Sequence, residues 1–449
     1  MRVLLVAYDY PPTQSPRALR WRYLSRELAL AGHDVHVLVP DLGPLGIELP
    51  EHPGRVVLHR SFPGFYGWLV QSSNRRRSQA HCSVATASAS RPEKTARLNW
   101  RGRLVDGLKR LAGLFLFPDV RGEWGPWARH ALSRLLREVR PDVVITSHEP
   151  ASTLPLGIEA QRQGFAWVAD LGDPVCAAYT PPRWRRRAMA LEAVVSARAD
   201  HVFVTNQATK ALLVERHGQR SDRCTVLPNG YDDRRASDPV PSEEQVPFDD
   251  GLLELVYAGR FYGYRDPAPL LQALASTPGV RLTLVVPDPP TGGAALAAAG
   301  DRLRILGPMA HEMVLDLLQR ADVLVNFGDR GQRARTPAKL FEYFGIARPI
   351  LHVHDASVSD AATDLLGSVQ RGWLCDDDAD ALAAMLSNLL QMKQRGELQQ
   401  GLELAPLPSY GHSSLGTELA RILTLVAGRR QHDGGASLGH VRRDGSMNS

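Results

Sequence analysis

The sequence predicts an α/β protein built from two doubly wound parallel sheets, each in its own domain. Short apolar runs typical of buried strands alternate with helical stretches, the pattern of parallel strands joined by right-handed crossovers. This series occurs twice, and a proline-rich, acidic linker at 233–250 separates the two copies. We therefore predict a first domain at 1–232, a second at 251–408, a C-terminal helix at 409–428 and a disordered tail at 429–449.

The first domain opens with a strand at 2–8, a loop and a helix at about 17–32. In a doubly wound domain, ligands lie outside the carboxyl ends of the strands, so this first loop should face the site. Further strands are predicted at 33–40, 142–147, 166–170 and 201–205. Residues 71–100 are polar and rich in Ser, Ala and Arg, which favours a mobile insertion.

Charge is distributed unevenly between the halves. Residues 1–232 contain 32 Lys+Arg against 21 Asp+Glu, a net charge of +11, whereas the remainder has 21 against 27, or −6. A basic half favours an acidic partner such as phosphorylated lipid, an anionic membrane or nucleic acid. A helix is predicted at 101–117, with an apolar face beside basic residues. This pattern fits either a membrane-surface helix or a core helix with one solvent-exposed side.

Cysteine usage and hydropathy indicate the compartment. The four cysteines are scattered without metal-ligand or CxxC spacing, which favours a reducing compartment and no metal site. The apolar start meets Asp9 and two prolines too early for a signal peptide, and no run approaches the roughly 20 apolar residues of a membrane span. We expect a cytoplasmic protein, at most peripheral at the inner face of the membrane.

In the second domain, a buried strand at 323–327 is followed by an arginine-rich loop and a helix whose predicted N-cap is Thr336. A helix start attracts anions, and Lys339 adds a positive charge there. Glu342 lies one turn further, where its carboxylate could accept hydrogen bonds from ribose hydroxyls. The segment therefore indicates a nucleotide site, while a surface Lys–Glu pair remains the alternative.

The first strand of the second domain ends at Gly259 and Arg260, and Arg265 follows five residues later. A glycine at a strand end permits a close approach by a ligand or another backbone, and two guanidinium groups can bind a diphosphate in bidentate fashion. Because this strand end lies at the same sheet edge as the 336–342 helix start, the two features are expected to converge on one ligand.

Six segments in order carry a family resemblance: YPPTQSPRALR, GHDVHVL, ADHVFVTN, VLPNGYD, YAGRFYGYRD and TPAKLFEYFGIARPIL. They resemble the family 4 (group 1) glycosyltransferases of the GT-B fold. The resemblance implies two Rossmann-like domains facing across a cleft, with a nucleotide-sugar donor held by the second and the acceptor by the first. It further implies that Arg260 and Arg265 hold the donor diphosphate and that Glu342 binds its ribose.

The implied donor-binding residues are Ser15, Asn229, Gly230, Gly259, Thr336, Lys339 and Glu342. Five positions depart from the family pattern. Ala334 stands where a first glutamate is usual, and Gln14 and Ser15 replace two glycines. Gly172 stands where some relatives carry an arginine, and Arg265 stands where a lysine is commoner.

Polar residues also follow two strands of the first domain. His148 and Glu149 come after the strand at 142–147, and Asp170 and Asp173 end or follow the strand at 166–170. By the resemblance His148 would contact the donor sugar, which makes it a catalytic candidate beside Arg260 and Arg265. Glu149, Asp170 and Asp173 are acceptor-side candidates.

The favoured function is transfer of a sugar from a nucleotide-sugar to an acceptor hydroxyl, retaining and metal-independent by resemblance. We expect no cofactor beyond the donor, a glycan or lipid-linked acceptor in cell-envelope or exopolysaccharide synthesis, a possible anionic membrane partner and no nucleic acid. The alternatives are a nucleotide-sugar epimerase of the same fold and a non-catalytic accessory subunit. A dinucleotide-dependent oxidoreductase is disfavoured because no G-x-G-x-x-G follows the first strand.

Overall fold

The computed structural model describes residues 1–11, 13, 15–43, 56–69, 71–72, 116–234, 246–261, 265–290, 293–329, 335–357 and 361–439, with side chains up to 430. Most of the predicted insertion, nearly all of the 101–117 helix, most of the linker and Ala334 lie outside these residues. The chain divides into two compact units. The first comprises Met1–Thr205, Thr209–Leu227 and Leu415–Ser449, and the second comprises Asn206–Ala208 and Pro228–Ser414.

The described strands of the first unit form one parallel sheet in the order β3-β2-β1-β4-β5-β6-β7. Its strands are β1 (Arg2–Val6), β2 (Asp34–Pro40), β3 (Val56–Ser61), β4 (Val143–His148), β5 (Ala166–Leu171), β6 (His201–Val204) and β7 (Cys224–Val226). The accompanying helices are α1 (Pro16–Leu30), α2 (Gly125–Glu138), α3 (Leu154–Arg162), α4 (Pro182–Arg198) and α5 (Gln207–His217).

The second unit contains a parallel sheet in the order β10-β9-β8-β11-β12-β13. Its strands are β8 (Leu253–Ala258), β9 (Val280–Val285), β10 (Leu303–Leu306), β11 (Val323–Phe327), β12 (Ile350–His354) and β13 (Gly372–Asp376). Its helices are α6 (Ala268–Ser276), α7 (Gly293–Ala299), α8 (His311–Arg320), α9 (Ala338–Phe344), α10 (Ala361–Val369) and α11 (Ala379–Gln394), before a last helix α12 (His412–Gly439).

Side-chain alternation along β1 places core residues on both faces of the first sheet. Val3 and Leu5 pack in a cluster that includes Trp21 of α1 and residues of α12. Leu4 and Val6 pack on the opposite face with residues of α2. A strand apolar on both sides is the signature of a parallel sheet covered by two helical layers, so the predicted α/β class is confirmed.

Two boundaries differ from the sequence expectations. Helix α9 begins at Ala338 with Pro337 as its N-cap and no capping side chain, so Thr336 is not the cap that we predicted. The extended backbone of Pro337, with φ −58° and ψ 127°, delays the first helical residue. Helix α12 continues to Gly439, beyond the residue 428 at which we ended it, and its residues from Leu415 belong to the first unit.

In each sheet the strand order reverses at one place, between β1 and β4 in the first unit and between β8 and β11 in the second. Loops leaving the carboxyl ends of such strands diverge and open a crevice for ligands. Within the described ranges no helix has both the length and the apolar character needed to cross a membrane.

Candidate functional site

The polar residues predicted from the sequence gather in two clusters, one at the reversal point of each sheet. The second-unit cluster surrounds Gly259, directly after β8. Gly259 has φ +152°, and a Cβ atom at this position would overlap the Nζ atom of Lys339. A side chain at position 259 would therefore displace the ammonium group from the end of β8.

Lys339 lies on the aromatic face of Tyr257, with Nζ 3.6 Å from the ring centroid. This Nζ atom is buried and has no hydrogen-bond partner among the described residues. Burial, reinforced by the nearby positive charge of Arg265, lowers the pKa of Lys339 well below its ordinary value of 10.5. A buried cation without a hydrogen-bonded anion is costly, so the position suits an anionic ligand.

Arg265 is also buried, but its charge is matched within the protein. Its Nε atom donates to Asp329, and its Nη1 atom lies 3.4 Å from the carbonyl oxygen of Arg260. Asp329 has a second cationic neighbour, Arg335, at 3.6 Å. Burial acts to lower the pKa of Arg265, yet Asp329 holds it above the ordinary value. The guanidinium group is therefore fixed next to Lys339 by a buried carboxylate.

Arg260 does not join this group through its side chain. Its guanidinium is half-exposed and lies 4.0 Å from Asp288. The expectation that Arg260 and Arg265 project together is not met in this structure, because Arg260 contributes its carbonyl oxygen and Arg265 is held by Asp329.

Glu342 lies in the middle of α9 at the rim of the same cluster. Burial raises the pKa of its carboxyl, while His311 and Lys339 act in the opposite direction. His311, at the start of α8, approaches the Glu342 carboxylate to 3.9 Å. Thr336 is buried just before α9. Gly259 thus follows β8 directly, whereas Thr336, Lys339 and Glu342 come from the loop and helix that follow β11.

The first-unit cluster is organised by Asp170, which is completely buried. Its carboxylate accepts hydrogen bonds from Arg20 at 3.1 and 3.2 Å and from the Trp21 indole at 3.0 Å, and Arg17 lies at 3.4 Å. All three donors belong to α1, so this aspartate fixes the first helix against the end of β5. Asp170 is thus a structural anchor whose carboxylate is engaged by donors of the protein itself.

Gly172 leaves space for one of these arginines. A Cβ atom on Gly172 would overlap Nη2 of Arg17, so the guanidinium of Arg17 occupies the place of a side chain at 172. Gly172 stands where some relatives carry an arginine, and in this chain the guanidinium at that place comes from Arg17 of α1. Sequence reasoning missed Arg17, because nothing in the α1 sequence distinguishes it from the other arginines of that helix.

His148 ends β4 and is buried, and its Nδ1 atom has no hydrogen-bond partner within the described chain. Burial lowers its pKa below the ordinary 6.5 despite the neighbouring Glu149. Burial acts to raise the pKa of Glu149, but His148, Arg17 and a Tyr179 hydroxyl hold it below its ordinary value. The two pKa shifts favour the uncharged form of the imidazole and the ionised form of the carboxyl group.

Tyr179 connects the predicted acceptor-side carboxylates. Its hydroxyl lies 2.7 Å from Oε1 of Glu149 and 2.9 Å from Oδ2 of Asp173. The two carboxyl groups therefore lie close together around a single hydroxyl. Since one hydroxyl proton serves one acceptor at a time, they share this donor. No sequence pattern points to Tyr179, since it lies in a loop six residues after Asp173.

The first loop adds a third carboxylate, Asp9. It hydrogen-bonds Ser15 and lies 3.8 Å from Arg121, while burial raises its pKa. Ser15 caps α1 by accepting a hydrogen bond from the Ala18 amide at 3.0 Å. Ser15 is thereby engaged by its own helix and by Asp9, so both of these contacts compete with a phosphate contact.

Asn229 and Gly230 lie in the second unit, in the loop before Tyr231. Tyr231 forms a parallel bridge with Gly411, and its ring fills the space that a side chain on Gly345 would take. Asn229 and Gly230 therefore lie just before the point where Tyr231 packs against Gly345 at the end of α9. Among the described residues there is no group of three or more His, Cys, Asp or Glu placed to hold a metal ion.

Comparisons with known proteins agree with the resemblance noted from the motifs. Residues 76–235 match Glycosyltransferase Family 4. A D-inositol 3-phosphate glycosyltransferase from Nocardia farcinica is 25% identical over 231 residues, which covers 46% of this chain and 49% of the relative. The chain thus matches about half the length of this curated relative. The family match ends before the second sheet, so the Lys339 cluster lies outside it.

Two solved structures cover nearly the whole chain. Sucrose-phosphate synthase from Thermosynechococcus elongatus has a TM-score of 0.60 at 16% identity, covering 98% of this chain and 100% of the synthase chain. HepE from Anabaena, solved in complex with UDP and glucose, has a TM-score of 0.57 at 13% identity, covering 94% and 99%. At these identities the likeness establishes the fold. The chain therefore has the GT-B fold, and its residues 76–235 match the model of glycosyltransferase family 4.

Proposed function

We propose that this protein is a glycosyltransferase that moves a sugar from a nucleotide-sugar donor to an acceptor hydroxyl. In this proposal the second unit binds the donor and the first unit supplies the acceptor side. The observation that carries it is the buried Lys339 ammonium at Gly259, which has no hydrogen-bond partner among the described residues. A donor diphosphate would supply the missing anion.

The donor would be recognised by three features of the Lys339 cluster. The diphosphate would lie at Gly259, where the backbone leaves room, and would pair with Lys339 beside Arg265. The Glu342 carboxyl, three residues along α9, would accept hydrogen bonds from ribose hydroxyls. HepE was solved with UDP, which supports a uridine nucleotide as the first to test.

The chemistry requires the bond between the sugar C1 and the diphosphate oxygen to break while the acceptor oxygen bonds to C1. Negative charge develops on the leaving oxygen, and a fixed cation such as Lys339 stabilises it most where water is excluded. The acceptor proton passes to the released diphosphate. By the family resemblance we propose retention of configuration, with no metal and no cofactor beyond the donor.

On the acceptor side, the neutral His148 would accept a hydrogen bond from a sugar hydroxyl through its unpartnered Nδ1. Glu149 and Asp173, held together by Tyr179, would orient the acceptor hydroxyl. Asp170 and Arg20 would act indirectly, by keeping Arg17 at the site. We propose a glycan or lipid-linked acceptor of the cell envelope or an exopolysaccharide, used in the cytoplasm or at the inner membrane face, and no nucleic-acid partner.

The test is nucleotide titration and donor turnover with the full-length protein. A panel of nucleoside diphosphates and their sugars should give one base with preferred binding, followed by donor hydrolysis and transfer to a sugar acceptor. Lys339→Met should reduce turnover by about 10²-fold or more, as for loss of one preorganised charge partner. Lys210→Met provides the matched control, because Lys210 bonds only a surface carbonyl of the first unit.

Each alternative gives a different result. Conversion of the donor sugar to its epimer without an acceptor would indicate the epimerase. Nucleotide binding without hydrolysis, transfer or epimerisation would indicate an accessory subunit. Wild-type binding and turnover in Lys339→Met would remove the donor-site assignment.

A further inference from the structure

Four large aromatic side chains are exposed where β3 ends. Phe62 is 43% exposed, Phe65 66%, Trp68 44% and Trp127 50%. Phe62 packs edge-on against Trp127 at 5.0 Å between centroids, and Phe65 lies 6.0 Å from Trp68. We call these four residues the aromatic patch. Apolar side chains grouped on a surface in this way mark an interaction site more often than scattered ones do.

The patch is held in place by the residues beneath it. The Gly67 amide donates to Oε1 of Glu123 at 2.8 Å, and Gly64, with φ +92°, leaves no room for a side chain beside Glu123. Just below, the buried Trp124 indole donates to Ser61 at 2.8 Å. The exposed rings therefore stand on a packed turn that orients them outward.

A second surface feature lies at the beginning of α4, and we call Arg183, Arg185, Arg186 and Arg187 the arginine cluster. All four are exposed, and the first turn of α4 contains no acidic residue. Cations at a helix N-terminus oppose the macrodipole, so this placement does not stabilise the helix. Arg185, Arg186 and Arg187 have no carboxylate partner in the described part of the chain. Arg187 stacks on the ring of Phe117 at 4.8 Å.

Both features belong to the same edge of the first sheet. The aromatic patch follows the carboxyl end of β3, and the arginine cluster begins the helix that follows β5. Four strand spacings separate β3 from β5 in the sheet, which corresponds to roughly 19 Å. His148 ends β4, which lies between them in the strand order.

We propose that this edge of the first unit docks on the surface of an anionic lipid bilayer. Aromatic rings locate at the boundary between acyl chains and headgroups, and arginines pair with lipid phosphates, so the two features fit the two layers of one interface. A nucleic acid would instead require a continuous basic track along its backbone. Docking itself does not depend on glycosyl transfer. Its consequence, delivery of a lipid-linked acceptor to His148 and Glu149, rests on the proposed function.

The experiment is flotation of the full-length protein with vesicles of phosphatidylcholine alone or with about 30 mol% phosphatidylglycerol at low salt. Wild type should float with the anionic vesicles only. Arg185→Gln/Arg186→Gln/Arg187→Gln should weaken partitioning by about 10²-fold, at about fivefold for each arginine. Phe65→Ser/Trp68→Ser should weaken it by about tenfold or more through lost apolar burial.

The matched control removes the same charge from the opposite edge of the same sheet. Arg137, Arg162 and Arg198 are exposed and lie in the last turns of α2, α3 and α4. Their triple change to glutamine should reduce partitioning far less than the change in the arginine cluster. Nucleoside diphosphate titration of every variant should match wild type, which separates a failure of docking from a failure of the donor site.

Three results would overturn the inference. The first is that wild type stays in the soluble fraction at low salt, and the second is that the control triple loses as much partitioning as the change in the arginine cluster. The third is that a DNA duplex displaces the protein from vesicles at equal charge concentration. The last result would assign the arginines to nucleic acid.

Discussion

Replacing Lys339 by methionine should stabilise the protein and weaken its binding of nucleoside diphosphate. An unpartnered buried polar group costs about 1–3 kcal/mol, and more when charged. The Tyr257 ring, 3.6 Å from Nζ, returns about 1–2 kcal/mol. Methionine has nearly the same length and no charge, so a net stabilisation of about 1 kcal/mol is expected, or roughly 2–4 °C in melting temperature for a unit of this size.

The stabilisation by Lys339→Met should decrease as the pH rises. Because the pKa of Lys339 in the folded protein lies below its ordinary 10.5, the folded state gives up this proton first as the pH rises. The energetic penalty is complete below the folded-state pKa and disappears above 10.5. The advantage of Lys339→Met in melting temperature should therefore shrink as the pH approaches 10.5.

Nucleotide binding provides a second way to measure the protonation of Lys339. A bound diphosphate would raise the pKa of Lys339, so binding at a pH between the folded-state pKa and 10.5 should take up protons, measured by titration calorimetry in buffers of different ionisation enthalpy. Lys339→Met should bind without this proton uptake and at least tenfold more weakly. A lower melting temperature in the variant, or unchanged affinity for every nucleoside diphosphate, would refute the reasoning.

Three further predictions concern the first unit. Gly172→Ala should displace the Arg17 guanidinium and lower kcat/KM by about tenfold, with little change in nucleotide affinity. Asp170→Asn should lower the free energy of unfolding by about 3–5 kcal/mol in urea, because it leaves the buried Arg20 without its carboxylate; a loss under 1 kcal/mol would contradict the anchor role. Since burial lowers the pKa of His148, the acid limb of the kcat/KM profile should fall below pH 6.5, and it should be absent in His148→Gln.

The sequence was sufficient for the fold because its strongest signals are periodic. Apolar strands such as β1 and β4 are buried on both faces, and strands buried on both faces require helices on both sides, which fixes an α/β layer order. The reversal points of the sheets then determine where the polar loop residues collect. For this reason the neighbourhood of His148 and of Lys339 could be predicted without coordinates.

Side-chain pairing could not be predicted in the same way. The partner of Arg265 is Asp329, 64 positions away along the chain, and no periodic pattern connects them. The N-cap prediction at Thr336 was wrong for a local reason, since Pro337 adopts an extended conformation and itself precedes the first helical residue. The role of Arg17 required the backbone at Gly172 to be known, because the relevant fact is an empty side-chain volume.

Both clusters share one arrangement of charge. In each of them a buried aspartate forms an ion pair with a buried arginine: Asp329 with Arg265 and Asp170 with Arg20. These pairs are fixed, because breaking either would leave a buried charge uncompensated. Lys339 Nζ and His148 Nδ1 are two of the thirteen buried side-chain atoms without a hydrogen bond among the described residues, and one of them lies at each reversal point. Since most buried polar atoms in folded proteins are hydrogen-bonded, these two support the proposal that ligand atoms bind at the reversal points.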